Sequence, residues 1–366
     1  MEKIKVAQVI GKGNNGGVES MMINLYKFMD KDLIQCDFLI ENECETINKE
    51  VVERFGGKLI IIPSYKNPFK YMKVLKKIFA ENKYDIVHSN MNTLSVFTLR
   101  AAKKAKIKHR IAHSHSTSNK KDIIRNIIKN ILKHFSKIYA TDYVACGELA
   151  GRWLFGNKEF DKGNVLVINN GVKYDRFKFN SSTREQFRHE LNISDNFVLG
   201  NVGRLVEQKN QQFLISILAK IKQSIPNAKL VILGSGDLKE PLLEKARLLG
   251  VKEDVLFFDK STTPEKFYNA FDVFLLPSLY EGLPVSAIEA QISGLDCLMS
   301  DTISNDVIIT SGAQLLSIDF LDKWIEEIKT ISLNRKIKRI SVPNAKYDVK
   351  NSALILQQHY LKLILF

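Results

Sequence analysis

Two glutamates, Glu281 and Glu289, stand eight residues apart in PSLYEGLPVSAIEA, and a Gly-Leu-Pro turn begins right after the first. A helix N-terminus attracts negative charge, so one of these carboxylates could be a cap and the other a solvated helix residue. The residues upstream point to a site instead. VGRLVEQKN carries Gly203, Arg204 and Lys209 just past an apolar run, and LGSGD carries Gly234 and Gly236 past the next. Cations and unpaired backbone N–H groups bind a diphosphate. A carboxylate that accepts two hydrogen bonds binds a ribose diol. Pro284 suits a first helical turn and leaves the Gly282 and Leu283 amides available to an anion. Together these residues read as a nucleotide-diphosphate site.

Such a site needs strands to bring its loops to one edge. KVAQVI, KLIIIP, YDIVHSN, KHRIAHSHS and DYVACG are short apolar runs separated by helical patterns. The same alternation restarts after roughly residue 175 with FVLGNVGR, AKLVILGSG, VLFFD, VFLLPS and DCLMSD. This pattern implies parallel βαβ units, and 366 residues imply two domains. The turn-rich join is NNGVKYDRFKF. The fold class is therefore α/β: two doubly wound, Rossmann-like domains facing across a cleft, with ligands beyond the carboxyl ends of the strands. The expected domains are 1–172 and 173–345, followed by a terminal helix over 346–366.

The net charge of +14 is uneven. Residues 66–137 hold 18 Lys/Arg against 3 Asp/Glu, which favours an anionic partner, membrane or nucleic acid. Within KKDIIRNIIKNILKHFSK, over 120–137, an apolar stripe at helical spacing runs beside Lys121, Arg125, Lys129, Lys133 and Lys137. This amphipathic helix could pack its stripe on its own domain while its lysines face anionic lipid. The basic run lacks interleaved aromatics for base stacking, so nucleic acid is not the expected partner. The opening MEKIKVAQVIGKG reads as a strand rather than a signal peptide, and no apolar run is long enough to span a bilayer. The four cysteines are scattered without a C-x-x-C pair, which fits a reducing cytoplasm.

With these motifs in order, the chain resembles the retaining GT-B glycosyltransferases of family 4, in the branch that builds bacterial capsular polysaccharides and exopolysaccharides. The resemblance rests on E281-GLPVSAI-E289, GR…QK, GSG, GNNGGVES near the start, VINNGV at the join and KYDVKNSALILQQHYLKL at the end. It implies that Arg204 and Lys209 hold the donor's diphosphate and take up leaving-group charge. It implies Glu289 on the ribose hydroxyls and Glu281 on the donor sugar. Gly16 and Gly17 would let a first-domain loop approach the phosphates, with Glu19 capping the helix behind it. One histidine of RIAHSHS, His113 or His115, would touch the transferred sugar; His115 lies nearer the strand end. Also implied are a terminal helix that crosses back to the first domain, hinge closure, substitution with retention, and no metal or cofactor. Where many relatives have Gly-x-Pro after the second glutamate, this chain has SGLDCLMSD, which bears on loop shape and donor selectivity.

The expected substrates are a nucleotide sugar, most simply a UDP-sugar, and a polyprenyl-diphosphate-linked sugar acceptor. The expected place is peripheral, on the cytoplasmic face of an anionic membrane. Two other readings are a GT-B-type nucleotide-sugar epimerase, which product analysis with donor alone distinguishes, and a non-catalytic protein that binds nucleic acid or membrane through its basic segment.

Overall fold

The structure is a computed structural model. It describes residues 2–13, 17–115, 123–259, 261, 263–281, 283–335 and 339–365, with backbone only over 123–129 and at Ser136. The chain forms two compact units. One is Met1–Gly171 together with Lys346–Phe366, and the other is Val172–Ala345.

The first unit is built on β1 (Ile4–Gly11), β2 (Ile34–Ile40), β3 (Leu59–Ile61), β4 (Ile86–Ser89), β5 (His109–Ser114), β6 (Asp142–Ala145) and β7 (Val165–Val167). They pair in parallel in the order β3-β2-β1-β4-β5-β6-β7. Side chains alternate across a strand, so Val6 and Ala7 of β1 enter different cores. Val6 packs with Met22, Leu25 and Leu356 on one side of the sheet. Ala7 packs with Leu75, Phe79 and Leu99 on the other. The helix Pro68–Asn82 shows how local signals set these elements. Pro68 opens it, the Asn67 side chain accepts from Lys70 N, and Lys83 closes it in a left-handed conformation.

The second unit is built on β8 (Phe197–Val202), β9 (Ala228–Leu233), β10 (Val255–Phe258), β11 (Val273–Leu276), β12 (Asp296–Ser300) and β13 (Ala313–Leu316), all parallel, in the order β10-β9-β8-β11-β12-β13. In each sheet the order reverses beside the first strand, at β1/β4 and at β8/β11. The loops on the two sides of that point run apart and leave a crevice at the carboxyl edge. Each unit is thus a doubly wound, Rossmann-like sheet.

Three strands were not legible as apolar runs: β2, β7 and β13. The helix expected over 120–137 runs Ile123–Tyr139, and residues 120–122 lie outside the described residues. No described helix is long and apolar enough to cross a membrane.

The last helix, Val349–Leu365, belongs to the first unit, where it packs on the helix Gly17–Phe28 and on β1. Val349, Ala353, Leu356 and Tyr360 form its buried stripe. Its first turn lies against Gly171, where an added Cβ would stand 2.3 Å from Val349 Cα. Gly171→Ala is therefore expected to push the helix off and destabilise the protein by about 1–3 kcal/mol. Urea unfolding measures this, and an unchanged midpoint would show that the close approach is not needed.

Candidate functional site

The glycines after β8 and β9 are there to let two backbones touch. Gly203 N donates to Leu233 O at 3.0 Å and Leu205 N to Ser235 O at 2.9 Å, so the two loops run side by side. Gly234 and Gly236 have φ of +155° and +156°, and a Cβ on them would meet Gly203 O at 1.9 Å and Leu205 O at 2.4 Å. No other residue fits either position. Arg204, on this paired loop, is exposed.

The chain then makes a short turn, Glu207–Lys209, which is fastened to the loop after β11. Leu279 N donates to Gln208 O at 2.8 Å, Gln208 Nε2 to Tyr280 O at 2.8 Å, and Asn210 Nδ2 to Pro277 O at 3.2 Å. These bonds bring Lys209 Nζ to 2.5 Å from Glu281 Oε1. Ser278 Oγ donates to the same carboxylate oxygen at 2.9 Å, and Gln208 Nε2 to the other at 3.3 Å. The lysine aliphatic stem lies on Gly203, where a Cβ would come within 3.2 Å of Lys209 Cε. Both charged side chains are mostly buried, so each needs the other.

Glu289 projects from the helix Val285–Ile292, for which Pro284 is the N-cap residue rather than a residue of the first turn. Its Oε2 accepts from the hydroxyl of buried Tyr268 at 2.7 Å. Burial raises its pKa to about 7, against the opposing pull of the Tyr268 hydrogen bond and of Arg176. Tyr268 was not legible in advance as part of this site, since its partner lies 21 residues away on another helix. Leu283 is half-buried in the turn before the helix, and Gly282 lies outside the described residues.

In the first unit Gly17 opens the helix Gly17–Phe28 and Glu19 is buried in its first turn, while Gly16 lies outside the described residues. His113 is fully buried in β5. His115, just past the strand, keeps part of its surface open at the sheet edge. Its ring stacks on that of His113 at 3.8 Å between centroids. Its Nε2 lies 3.0 Å from Asn90 Oδ1, and its backbone N–H donates to Asn92 Oδ1 at 2.7 Å. Burial lowers the His115 pKa to about 3, so the ring is neutral at neutral pH. Of the two histidines, His115 is the one a ligand can reach.

The basic helix departs from expectation. Lys121 lies outside the described residues, as do the side chains of Arg125 and Lys129. Lys133 turns toward its own domain, 5.9 Å over the Trp153 ring, and Lys137 Nζ donates to Phe155 O at 3.3 Å. Ile131, Phe135 and Ile138 are instead 55%, 43% and 52% exposed. Over this half of the helix, apolar residues face outward and the lysines lean in along their stems. Among the described residues no group of three or more His, Cys, Asp or Glu is placed to hold a metal ion.

The family description "Glycosyltransferase Family 4" matches residues 15–176, and "Glycosyl transferases group 1" matches residues 183–347. The chain is 33% identical to glycosyltransferase EpsF of Bacillus subtilis (strain 168), over 92% of this chain and 89% of that one. The chain belongs to the family 4, group 1 glycosyltransferases. It is thus a glycosyl-transferring enzyme. It is also 28% identical, over 54% of this chain and 52% of that one, to an Escherichia coli protein. That protein is named as the UDP-Gal:alpha-D-GlcNAc-diphosphoundecaprenol alpha-1,3-galactosyltransferase. The fold of this chain, the two-domain GT-B architecture, matches that of Anabaena Alr3699/HepE, solved in complex with UDP-glucose. The TM-score is 0.77 at 17% identity, covering 98% of this chain and 97% of the other.

The raised Glu289 pKa has a consequence for stability. A carboxyl with a pKa near 4.5 unfolded and about 7 folded favours the folded state below pH 4.5, and that contribution is lost as pH rises through 7. Glu289→Gln keeps an acceptor for Tyr268 and has no charge to desolvate. Its melting temperature relative to wild type is expected to climb between pH 4.5 and 7 and then level off. Thermal melts across that range check it, and a pH-independent difference would contradict the assigned cause.

Proposed function

We propose that this glycosyltransferase moves a sugar, with retention, from a UDP-sugar to a polyprenyl-diphosphate-linked acceptor in the assembly of a capsular polysaccharide or exopolysaccharide. The observation that supports this reading is the Lys209–Glu281 pair between the loops after β8 and β11, with Arg204 on the first of these loops and Glu289 on the helix after β11. Arg204 and Lys209 supply positive charge for the diphosphate, with Leu283 offering its amide just before the next helix. Glu289 takes the ribose diol. Glu281 holds Lys209 in place and faces the donor sugar. His115 is assigned the contact with the transferred sugar.

In this scheme the acceptor hydroxyl attacks the anomeric carbon on the face from which the diphosphate leaves. The bond from that carbon to the phosphate oxygen breaks, a bond to the acceptor oxygen forms, and the departing phosphate takes the hydroxyl proton. Charge builds on the leaving diphosphate, so Arg204 and Lys209 act where the transition state differs most from the bound donor. The E. coli relative's name pairs the same classes of donor and acceptor. A lipid-linked acceptor also accounts for the exposed Ile131, Phe135 and Ile138 on a basic helix. We place the enzyme peripherally on the anionic cytoplasmic face of the membrane, with these residues in the headgroup region.

UDP, without added metal, is expected to raise the melting temperature. At 100 times Kd the stabilisation is about 2.7 kcal/mol, and Glu289→Ala should remove it. Arg204→Ala and Lys209→Ala should each lower transfer about 100-fold or more while leaving the protein folded. Near-normal transfer by either would sink the site assignment.

Ile131→Ser combined with Phe135→Ser should reduce co-sedimentation with anionic vesicles and leave the UDP shift intact. Wild-type protein that ignores such vesicles would remove the membrane from this reading.

A further inference from the structure

Six side chains of the first unit form one unbroken hydrogen-bond chain. His115 Nε2 lies 3.0 Å from Asn90 Oδ1. Asn90 Nδ2 donates to Gln8 Oε1 at 3.0 Å, and Gln8 Nε2 donates to the Tyr360 hydroxyl at 2.8 Å. That hydroxyl lies 2.5 Å from His88 Nδ1, and His88 Nε2 lies 3.0 Å from His113 Nδ1. Because His113 stacks on His115, the chain ends beneath the residue at which it begins. Every member except His115 is buried, and the members come from β1, β4, β5, the loops after them and the C-terminal helix.

A side-chain amide donates at one end and accepts at the other, so the direction of one bond fixes the next. Asn90 Nδ2 also reaches the His88 carbonyl oxygen at 3.4 Å, and a carbonyl oxygen can only accept. Asn90 therefore turns its own oxygen to His115, which must donate from Nε2. Gln8 turns its N–H groups to Tyr360, whose hydroxyl proton then goes to His88 Nδ1. His88 donates from Nε2, and His113 keeps its proton on a buried Nε2 that has no partner among the described residues. Burial holds the pKa of His88 and His113 well below the ordinary histidine value. The rings are neutral, and the variable left to them is the position of one proton each.

We propose that Tyr360 on the C-terminal helix is a positioning residue, which through Gln8 and Asn90 holds His115 as the Nε2–H tautomer and presents Nδ1 as the acceptor for a hydroxyl of the transferred sugar. The role of that acceptor rests on the assignment of His115 to the sugar in the proposed function; the tautomer itself does not.

Without the Tyr360 hydroxyl, the Gln8 N–H faces a ring and is an orphan donor. Turning Gln8 over replaces it with an orphan carbonyl, the cheaper of the two. Asn90 must then turn over as well, and its N–H meets His115 Nε2. The His115 proton is driven to Nδ1, and the acceptor becomes a donor. The brakes are two long contacts that the turn-over gives up, Asn90 Nδ2 to the His88 carbonyl at 3.4 Å and Gln8 Nε2 to Cys36 Sγ at 4.0 Å.

The test uses full-length protein labelled with 15N-histidine. Two-bond proton–nitrogen correlation spectra read the tautomer of each ring. Wild type should show Nε2–H at His88, His113 and His115; Nδ1–H at His115 would overturn the proposal before any variant is made. In Tyr360→Phe, His115 should gain the Nδ1–H pattern while UDP still raises the melting temperature as in wild type. An unchanged His115 tautomer in this variant would also overturn it. Transfer kcat should fall about tenfold, the scale of one neutral hydrogen bond, with little change in donor KM. Adding Tyr360→Phe to His115→Ala should cause no further loss, and a further loss would overturn the route through His115. A switched tautomer with unchanged transfer would keep the chain and refute the assignment of His115 to the sugar.

Discussion

Parallel strand pairing is the constraint from which the rest of this molecule follows. A parallel strand cannot turn straight back, so each connection crosses over a face of the sheet through a helix. All strand carboxyl ends therefore emerge on one edge, and so do the loops that follow them. In the second unit this places the loops after β8, β9 and β11 side by side. The crevice opens at β8/β11 because the chain proceeds outward from there in both directions. Lys209 and Glu281 meet there because of where their strands end, not because they are near in sequence.

What this edge adds is fixed charge at low mobility. Lys209 and Glu281 neutralise each other, and Ser278 and Gln208 take up further lone pairs of the carboxylate. A lysine held this way has already lost much of the rotamer freedom that binding would otherwise have to remove. The ammonium group is thereby positioned, and it has three donors, so the bond to Glu281 Oε1 does not exhaust them. Glu289 is set differently, on a helix, against a buried tyrosine. The two glutamates of the motif thus differ through their surroundings, one paired with a cation and one desolvated beside a hydroxyl.

The parts of this arrangement legible in the sequence were those that local pattern encodes. Apolar runs marked ten of the strands, and Gly234, Gly236, Glu281 and Glu289 stand at offsets that a loop and one helix explain. What stayed hidden depends on partners far along the chain. β2 did not stand out because Asp37 interrupts its apolar character. That carboxylate is buried, and is satisfied by Tyr84 Oη at 2.9 Å and Lys58 N at 2.9 Å, partners 47 and 21 residues away. Asp272 is similar: Arg184, Arg188 and Arg335 converge on it. Burial alone would raise its pKa, but the three guanidiniums hold it below the usual carboxylate value. Over its described half, the basic helix reversed its expected faces because composition gives the stripe and its flank but not which one the domain covers. Trp153 and the Phe155 carbonyl decide that, and neither is within the helix.

The same reasoning explains why the C-terminal helix matters beyond packing. Its return to the first unit buries Val349, Ala353 and Leu356, which apolar burial would suffice to explain. Tyr360 is different, since its hydroxyl lies where Gln8 and His88 both need a partner. A phenylalanine would fill the same volume and leave two polar groups unsatisfied in the core. A helix selected only for packing had no need of that oxygen. Its presence ties the last turns of the chain to the polar centre of the first sheet, and so to the histidine at that sheet's edge.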